Sequence, residues 1–600
     1  MSFIKTSLLA SPQDLPKVSL SGKKWDFFEC DEGDIGRLVT DHGLSEVVAK
    51  ALLQRNVSTQ TARDFLDPKI RNLLPNPLCL KDMEKGTDVC FQAIEAGEKI
   101  AIFGDYDVDG ATSSALLRRY FRAIGLATEL YIPDRLGEGY GPNAEAMENL
   151  YAQGIRLVIM VDCGTLAFEP LQRAHDLGLK VIVLDHHLSE ENLPKASALI
   201  NPNRLDESVE PFYLKELCAA GIAFLFIVAL QKKLRDHHFF KTQEEPNLLE
   251  FLDLVALGTV CDVMPLTHLN RAFVTHGLRL MARQSNAGIH ALMEVAGSSM
   301  IPTAYHLGFV IGPRINAGGR VGESSLGSQL LFSEDPVGIK NMSLKLHTLN
   351  TERQNLEKLM LDQAYAMVEA EKLYEKPVIL IGHENWHPGV IGIAASRLKE
   401  RYNKPSLVVS YLMDATIGKG SGRSIAGASL GEAMIKAVKK GLLVHGGGHA
   451  MAAGFTVLRK DFDAFYDFIG DTLKDAVEAY TPTHQVTGWL SLASFTPSFV
   501  KSLNVLEPFG HGNPMPKFAI GPVFIRFADP FGVDHMRLVI EDHYGNRSKA
   551  VHFRGLSQPY GDLLMKRQGS FYLLGSLKID SWNGHDDVSF VIEDIAAATV

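Results

Sequence analysis

The chain has 600 residues, of which 46% are hydrophobic and 22% are charged, and its formal net charge is −10. This length predicts roughly three or four domains, because a single hydrophobic core rarely grows beyond about 250–300 residues. The composition predicts ordered domains throughout, and the net negative charge does not suggest nucleic-acid binding, because proteins that bind nucleic acids usually carry a basic surface. Six cysteines without a CxxC pair argue against a disulfide scaffold or a zinc ribbon.

Nothing in the sequence predicts export or a membrane span. Residues 1–16 contain only a short apolar run, which predicts no secretion signal. The longest apolar run, at 217–230, is shorter than the roughly 20 residues that cross a bilayer and predicts a buried helix instead. We therefore expect a cytoplasmic protein with reduced thiols and no membrane partner.

The first two regions of the chain differ in pattern. Residues 1–80 are weakly patterned and predict an N-terminal cap or linker region. Residues 81–335 alternate helical stretches with short apolar runs that end in acidic residues, namely "KIAIFGDYD" at 99–107, "RLVIMVDCG" at 156–164 and "KVIVLDHH" at 180–187. This rhythm predicts strand–helix units on a parallel sheet. Because ligands bind beyond the carboxyl ends of such strands, we expect the acidic residues to meet in one crevice.

The remaining regions predict a helix, a second α/β domain and a barrel. In 336–375 apolar residues recur every three or four positions, which predicts a connecting helix. Residues 376–480 contain the strand-like runs "VILIG" and "SLVVS", and ten Lys/Arg against four Asp/Glu between Lys376 and Lys440 make this region the expected site for a polyanion, unless it is only a solvated face. Short β segments in 481–600 predict an OB-like barrel, a fold suited to single strands.

Acidic residues after the first predicted strand indicate a metal site. Asp105, Asp107 and Asp109 stand at alternate positions, and Gly110 lets the chain turn into the next helix. Hard divalent cations prefer such oxygen clusters. An EF-hand is excluded because Leu116 stands where that pattern requires glutamate. An acidic loop that caps a helix without a metal is the alternative.

Three more positions favour the metal interpretation. Asp162 and the triplet Asp185-His186-His187 each follow a predicted strand, and Asp262 ends an apolar run where an unpaired carboxylate would be costly. Together these ligands suffice for two divalent cations, and the absence of thiolates favours Mn²⁺ or Mg²⁺ over Zn²⁺. Two such ions predict metal-assisted phosphoester hydrolysis.

The same Asp-His-His triplet occurs a second time, at 236–238. The first copy follows the β-branched run "VIVL", whereas the second follows "QKKLR" at the polar end of an apolar helix. We therefore predict that the second copy is a surface segment without a metal.

These acidic motifs, in this order, resemble the motifs of the DHH phosphoesterase superfamily. Further stretches narrow the resemblance: "GPRINAGGR" at 312–320, "WHPGVIGI" at 386–393, "GSGRS" at 420–424, "HGGGHAMAAG" at 445–454 and "FGHGNPMPKF" at 509–518. Over residues 90–600 the set is similar to the RecJ family, bacterial 5′→3′ exonucleases specific for single-stranded DNA. The resemblance implies an α/β multidomain chain with a DHH domain, a connecting helix, a DHHA1 domain and an OB-like barrel.

The resemblance also implies roles for individual residues. It places the metal ligands at Asp107, Asp109, Asp162, His186 and Asp262, and it places His187 against the scissile phosphate, with Asp185 and Asp105 as further catalytic candidates beside the metals. Candidates for binding the strand or its 5′-phosphate are Arg314, Asn316, Arg320, Trp386, Ser421, Arg423, Gly447, Gly448 and His449. For Trp386 we keep two interpretations open, stacking on a base or burial in the core. Cys163 stands where the family pattern favours Asn or His, and we predict a packed, neutral thiol.

Two other functions remain as alternatives at this point. A short-substrate phosphodiesterase acting on oligoribonucleotides or cyclic dinucleotides shares the two-domain core, but the long helix and the C-terminal β region argue against it. A non-catalytic replication scaffold is disfavoured because every expected ligand is present. The resemblance further implies single-stranded-DNA-binding protein and a DNA helicase as partners, and we expect a monomer.

Overall fold

The computed structural model describes residues 15–133, 141–298, 301–412, 414–582 and 585–598. Most of the N-terminal segment in which no secretion signal is predicted lies outside these ranges. Among the described helices, none combines the length and the apolar character needed to cross a lipid bilayer.

The helices and strands have the following bounds. The N-terminal region contains β1 (Lys24–Phe27), α1 (Glu32–His42), α2 (Glu46–Leu53), α3 (Thr59–Leu66) and α4 (Ile70–Leu73). The next region contains α5 (Met83–Glu95), β2 (Lys99–Gly104), α6 (Val108–Ala123), β3 (Thr128–Tyr131), α7 (Ala144–Ala152), β4 (Ile155–Val161), α8 (Phe168–Asp176), β5 (Lys180–Leu184), β6 (Ala198–Ile200), α9 (Ala219–Asp236), α10 (Leu252–Cys261), α11 (His268–Met281), α12 (Ala287–Val295), α13 (Ala304–His306), α14 (Gly312–Val321) and α15 (Leu326–Phe332). A long helix, α16 (Pro336–Ala370), leads to β7 (Ile379–His383), α17 (Ile391–Tyr402), β8 (Ser406–Ser410), β9 (Ile417–Arg423), α18 (Leu430–Lys439), β10 (His445–Gly448), β11 (Ala452–Leu458) and α19 (Phe462–Ala479). The C-terminal region contains β12 (Thr483–Val486), β13 (Gly488–Leu490), α20 (Pro497–Leu503), β14 (Phe518–Phe531), β15 (His535–Asp542), β16 (Arg547–His552), α21 (Gly561–Lys566), β17 (Ser570–Trp582) and β18 (His585–Ala597).

The first sheet is parallel, as predicted. Its strand order is β3-β2-β4-β5-β6, and nearly every residue of β4 is buried, which is typical of a sheet covered by helices on both faces. The chain proceeds from β2 outward in both directions, to β3 on one side and to β4 on the other. Such a reversal opens a ligand crevice at the carboxyl ends of β2 and β4.

A long helix and a second sheet follow. The carboxylate of Asp335 accepts the N–H groups of Val337 and Gly338, and Pro336 occupies the first turn, so α16 begins with a strong cap. Its 35 residues confirm the predicted connecting helix. The second sheet has the order β10-β11-β9-β8-β7, in which only β7 and β8 run parallel.

The C-terminal region is a closed barrel of the predicted OB-like type. Its strands run in the order β13-β14-β15-β16-β18-β17, and the pairing of β14 with β17 closes the sheet on itself. The closed ring comprises β14, β15, β16, β18 and β17, while the short strand β13 pairs with β14 alone.

The N-terminal region packs on this barrel. Strand β1 pairs in parallel with β12, and helices α1, α2 and α3 share one hydrophobic cluster with the barrel strands. The buried carboxylate of Asp594 accepts hydrogen bonds from the Trp25 indole (2.8 Å) and the Ser21 hydroxyl (2.7 Å). Residues 15–66 therefore fold as part of the barrel unit, although the two segments lie at opposite ends of the sequence.

Candidate metal centre and nucleic-acid cleft

A tight turn after β2 presents the first two carboxylates. Asp107 caps α6, and its Oδ1 accepts the N–H groups of Asp109 (2.9 Å) and Gly110 (3.1 Å). Asp105 is buried, and its Oδ1 accepts the N–H of Tyr106 (2.7 Å). A β-carbon at Gly110 would lie 2.4 Å from the carbonyl oxygen of Asp105, so glycine is required for the turn.

Asp109 joins two helices as well as facing the crevice. It lies in the first turn of α6, and its carboxylate accepts the N–H groups of Ala219 (2.6 Å) and Ala220 (3.0 Å) at the start of α9. A β-carbon at Gly258 of α10 would lie 2.8 Å from its Oδ1, so this glycine makes room for the carboxylate. Asp109 thus satisfies the N-terminus of a helix more than a hundred residues away.

The carboxylates of Asp109, Asp162 and Asp262 lie around the imidazole of His186. Its Nε2 lies 3.3 Å from Oδ1 of Asp162, 3.5 Å from Oδ2 of Asp262 and 3.9 Å from Oδ2 of Asp109. Asp162 follows β4 with a φ of +60°, a conformation that a non-glycine residue adopts only where its surroundings hold it. Asp262 follows the last residue of α10.

The facing atoms of this group are buried and lack hydrogen-bond partners within the described residues. They are Asp162 Oδ1, His186 Nε2 and Asp262 Oδ2, and burying such atoms unpaired costs several kcal/mol unless a cation satisfies them. Burial, followed by the charges of neighbouring carboxylates, raises the pKa of Asp162 well above its usual range, that of Asp262 to about 9 and that of Asp109 to about 6. Burial and the charge of His187 lower the pKa of His186 to about 4, so its ring is neutral, as a ligand must be.

The donor set fits two hard divalent cations. Three groups of ligand atoms each lie within 4.8 Å of one another: Asp105 with Asp107 and Asp162, Asp109 with His186 and Asp262, and Asp162 with His186 and His187. Asp162 and His186 each belong to two of these groups, so the three groups form one continuous donor set. Carboxylates and imidazoles without a thiolate suit Mn²⁺ and Mg²⁺.

Asp185 is a member of none of these groups, and its carboxylate binds His187 and nearby backbone N–H groups. Its Oδ1 accepts the Nδ1–H of His187 (2.7 Å) and the N–H of His186 (2.8 Å), and its Oδ2 accepts the N–H of Thr165 (3.0 Å). Burial raises the pKa of Asp185, but the hydrogen bond and charge of His187 outweigh burial and hold this pKa below its usual range. Burial lowers the pKa of His187, but the bond to Asp185 raises it to about 9.

Two asparagines that the sequence analysis did not single out fix the backbone of the triplet. Asn201, fully buried after β6, donates from Nδ2 to the carbonyl oxygen of His187 (2.7 Å) and to the Thr165 hydroxyl (2.9 Å). Asn203 donates to the carbonyl oxygen of His186 (2.7 Å). Both residues follow a strand of the parallel sheet, and that position is the signal by which sequence inspection would find them.

The metal centre opens into a cleft between the two α/β domains. This cavity has a volume of about 1200 Å³ and extends from Asp105 and Asp107 to β9, β10 and the start of α17. The predicted strand-binding residues among its lining are Arg320, Ser421, Arg423 and Gly447; Lys419 and His445, which were not predicted, also line it. The cleft therefore joins the acidic metal centre to a wall that carries Arg320, Lys419 and Arg423, the basic wall.

Two of the predicted strand-binding residues do not line the cleft and make contacts within the protein instead. The Trp386 side chain is 2% exposed and its indole donates to Gln363 (2.8 Å), so burial is the correct interpretation and no base can stack on it. Arg314 turns toward α16, donating to His347 Nδ1 (3.3 Å) and to the carbonyl oxygen of Val310 (2.6 Å), because its position on α14 faces that helix.

The other predicted residues lie near the cleft or apart from it. Asn316 is half-buried on α14, and Gly448 and His449 are exposed at the turn between β10 and β11; none of the three is among the cleft-lining residues. Cys163 is packed as predicted, with its Sγ 3.4 Å from the carbonyl oxygen of Val161, and burial raises its pKa well above the usual range.

The second Asp-His-His triplet lies on the surface, as predicted. Asp236 ends α9 and pairs with Lys232 (2.7 Å), while His237 and His238 follow in an exposed turn. Among the described residues, none of the groups able to hold a metal includes this triplet.

Comparisons with known proteins agree with this architecture. The chain matches the models of the DHH family N-terminal domain over residues 99–259, the DHHA1 domain over 370–475 and the RecJ OB domain over 486–594. It is 36% identical over 483 residues to the single-stranded-DNA-specific exonuclease RecJ of Escherichia coli, an alignment that covers 78% of this chain and 82% of that protein.

Solved structures are similar over nearly the whole chain. RecJ of Thermus thermophilus in complex with Mn²⁺ has a TM-score of 0.78 at 28% identity and covers 96% of this chain and 80% of its own. The same protein in complex with Mg²⁺ has a TM-score of 0.73 at 27% identity and covers 96% and 79%.

Proposed function

Because the chain belongs to the RecJ family, it is a metal-dependent exonuclease that acts on single-stranded DNA with Mn²⁺ or Mg²⁺, and we propose that it removes mononucleotides in the 5′→3′ direction. The observation that carries this polarity is the single cleft in which the acidic residues Asp105 and Asp107 face Arg320, Ser421 and Arg423. One wall suits the cations and the other suits a terminal phosphate.

The metal ligands in this proposal are Asp107, Asp109, Asp162, His186 and Asp262, with Asp105 in the group around Asp107. These residues would hold two divalent cations, which when bound would supply a water of lowered pKa and would offset the negative charge on the phosphate. The carboxylates would hold the cations in place, and the neutral His186 would complete the donor set without adding to the repulsion among the carboxylates.

His187 is proposed to act on the scissile phosphate. Its Nδ1–H is committed to Asp185, so Nε2 is the nitrogen that faces outward, and its raised pKa keeps the ring protonated at neutral pH. In that state Nε2 donates a proton to the 3′ oxygen as the P–O3′ bond breaks. Asp185 is a positioning residue in this scheme, and it stabilises the imidazolium.

The basic wall is proposed to bind the 5′-phosphate. Cleavage of the P–O3′ bond releases a 5′-mononucleotide and leaves a new 5′-phosphate on the remaining strand. Each cycle therefore regenerates the group that Arg423, Ser421 and Arg320 bind, and the strand advances one nucleotide. The Arg423 guanidinium already lies beside the Ser421 hydroxyl (3.3 Å) and the start of α17, where partial positive charge favours an anion.

The wider role is also part of this proposal. We place the enzyme in the cytoplasm, in DNA recombination and repair, acting as a monomer. Single-stranded-DNA-binding protein and a DNA helicase are the proposed partners, because each supplies or exposes the single strands that the enzyme degrades.

Digestion of labelled DNA tests the proposal. Single strands labelled at the 5′ or the 3′ end, and the matching duplex, are incubated with Mn²⁺ or Mg²⁺. Immediate release of the 5′ label as mononucleotide, with the 3′ label retained in a shortening strand, is the expected result. Early release of the 3′ label would refute the polarity, and preference for two- to five-nucleotide substrates would favour a short-substrate phosphodiesterase.

A further inference from the structure

The segment that follows Asp262 is held by the barrel domain. Residues 263–267, the ligand link, connect Asp262 to α11. The N–H of Leu266 in this link donates to the carbonyl oxygen of His511 (2.8 Å). His511 belongs to residues 509–513, the barrel loop, which forms the first half of the "FGHGNPMPKF" stretch and has no role in the proposed chemistry. The metal centre is therefore connected to a domain that contributes none of its ligands.

Glycines allow the barrel loop to lie directly on the ligand link. A β-carbon at Gly510 would lie 2.6 Å from Cδ1 of Leu266, and one at Gly512 would lie 2.9 Å from Cβ and 3.1 Å from Cα of Pro265. Gly512 also has a φ of +70°, which favours glycine. Because Pro265 is rigid, a side chain at 512 displaces the backbone of the link.

A buried arginine just after the ligand link bonds to the barrel unit close to the barrel loop. Arg271, in the first turn of α11, is 1% exposed. Its guanidinium donates to the carbonyl oxygens of Leu506 (3.1 Å) and Glu507 (2.6 Å), just before the barrel loop, and to that of Phe65 (2.7 Å) at the end of α3. The helix that follows the ligand link is thus bound to the barrel unit as well.

The barrel loop is itself braced. Asn513 is fully buried, and its Nδ2 donates to the carbonyl oxygens of Leu506 (2.7 Å) and Pro508 (2.8 Å). Its Oδ1 accepts a hydrogen bond from Nε of Arg55 in the N-terminal region. Because these hydrogen bonds fix the barrel loop, the loop can in turn fix the position of the ligand link that it contacts.

The ligand link needs such a hold. Val263, directly after Asp262, has a φ of +59°, which strains a β-branched residue. Its side chain is 62% exposed and supplies little packing of its own. A strained turn persists only where the surrounding structure determines it. Here the N–H groups of Val263 and Met264 donate to the carbonyl oxygens of Val260 (3.2 Å) and Thr259 (3.1 Å) in α10, and the barrel loop contacts the link two residues further on, at Pro265 and Leu266.

We propose that the barrel loop positions Asp262, through the contacts of Gly510, His511 and Gly512 with the ligand link, so that the affinity of the centre for divalent cations depends on the barrel domain. This inference rests on the proposed role of Asp262 as a metal ligand. Residues around a metal ligand that fix its orientation typically change metal affinity by about 10- to 100-fold when they are altered.

The test measures Mn²⁺ binding to the full chain without DNA, from the paramagnetic resonance signal of free Mn²⁺. Gly512→Ala is the main variant, and Gly545→Ala is its matched control. Gly545 lies in the same barrel with a φ of +84°, and a β-carbon there meets nothing within 4 Å. We expect Gly512→Ala to weaken one of two Mn²⁺ sites by about tenfold or more, with turnover recovering as Mn²⁺ is raised, and Gly545→Ala to bind Mn²⁺ like the wild type.

Two more variants keep every outcome decisive. Gly510→Ala adds a methyl group against the flexible end of Leu266 at an ordinary φ, and it replaces Gly512→Ala if that variant does not fold. Asp262→Asn reports on the ligand role itself. A folded glycine variant with an unchanged Mn²⁺ isotherm overturns the positioning role if Asp262→Asn weakens binding. If Asp262→Asn also binds Mn²⁺ normally, the proposed ligand assignment fails instead.

Discussion

Replacing Asp185 by asparagine separates the orienting role of this carboxylate from metal binding. The substitution keeps the shape of the side chain, and an amide oxygen still accepts the N–H groups of His186 and His187. What it removes is the negative charge that raises the pKa of His187 against the effect of burial. We therefore expect the pKa of His187 to fall from about 9 toward its ordinary value of 6.5.

The expected loss of activity follows from the protonated fraction of His187. At pH 8 a group with a pKa of about 9 is about 90% protonated, whereas one with a pKa of 6.5 is about 3% protonated, a ratio of about 30. Because the His187 side chain is 39% exposed, solvent screens part of this effect. We expect Asp185→Asn to lower single-turnover cleavage at pH 8 by about 5- to 30-fold, and by less at pH 6.

The assay is single-turnover cleavage of a 5′-phosphorylated single strand from pH 6 to pH 10 at saturating Mg²⁺. The alkaline limb of the profile should move to lower pH in the variant, while Mg²⁺ affinity stays within about threefold. Asp236→Asn, in the surface triplet, is the matched control and should reproduce the wild-type profile. If the alkaline limbs of the wild type and Asp185→Asn fell at the same pH, the reasoning would be refuted, because the charge of Asp185 would then not determine the protonation of His187.

Three other expectations follow from the same geometry. His186→Ala should abolish hydrolysis and weaken Mn²⁺ binding, whereas His237→Ala should change neither; activity in the first variant would remove His186 from the ligand set. Arg423→Ala should slow cleavage of 5′-phosphorylated ends more than it weakens binding to the interior of a strand, whereas Arg314→Ala should leave the preference for 5′-phosphorylated ends unchanged. If Arg423→Ala reduced end cleavage and internal binding equally, that result would argue against a pocket for the 5′ end. Between about pH 6 and pH 9 the metal-free protein should lose stability as the pH rises, because the folded state keeps a proton on Asp262, whose pKa is about 9, whereas the unfolded chain releases that proton near pH 3.8. The free energy of unfolding should fall by about 1.4 kcal/mol per pH unit for each proton retained. A denaturation series at several pH values measures this slope, and added Mn²⁺ should abolish it.

Local patterns were enough to predict the elements that carry most ligands. Asp107 and Asp162 follow apolar runs, and the pairing of parallel strands brings the ends of such runs to one edge wherever the sheet forms. The two Asp-His-His triplets were separated on the same ground, since only the first follows a strand. Such inferences hold because a strand end and a helix cap are decided by a few neighbouring residues.

Other features depended on contacts between distant segments. Asp109 caps α9, Asn201 holds the backbone of His187, and Arg271 reaches the barrel, and in each case the partner lies elsewhere in the sequence. Trp386 shows the same limit, because its burial depends on what packs over it rather than on its neighbours.

The sequence by itself therefore determined the order of domains, the parallel sheet and the acidic strand ends, because these follow from local apolar periodicity and from chain direction. Only the tertiary structure decided which carboxylates face one another, which basic residues share their cleft and that the barrel loop lies against the segment after Asp262. Those relations are set by packing between segments far apart in the chain, where shape and burial rather than residue type decide which side chains meet.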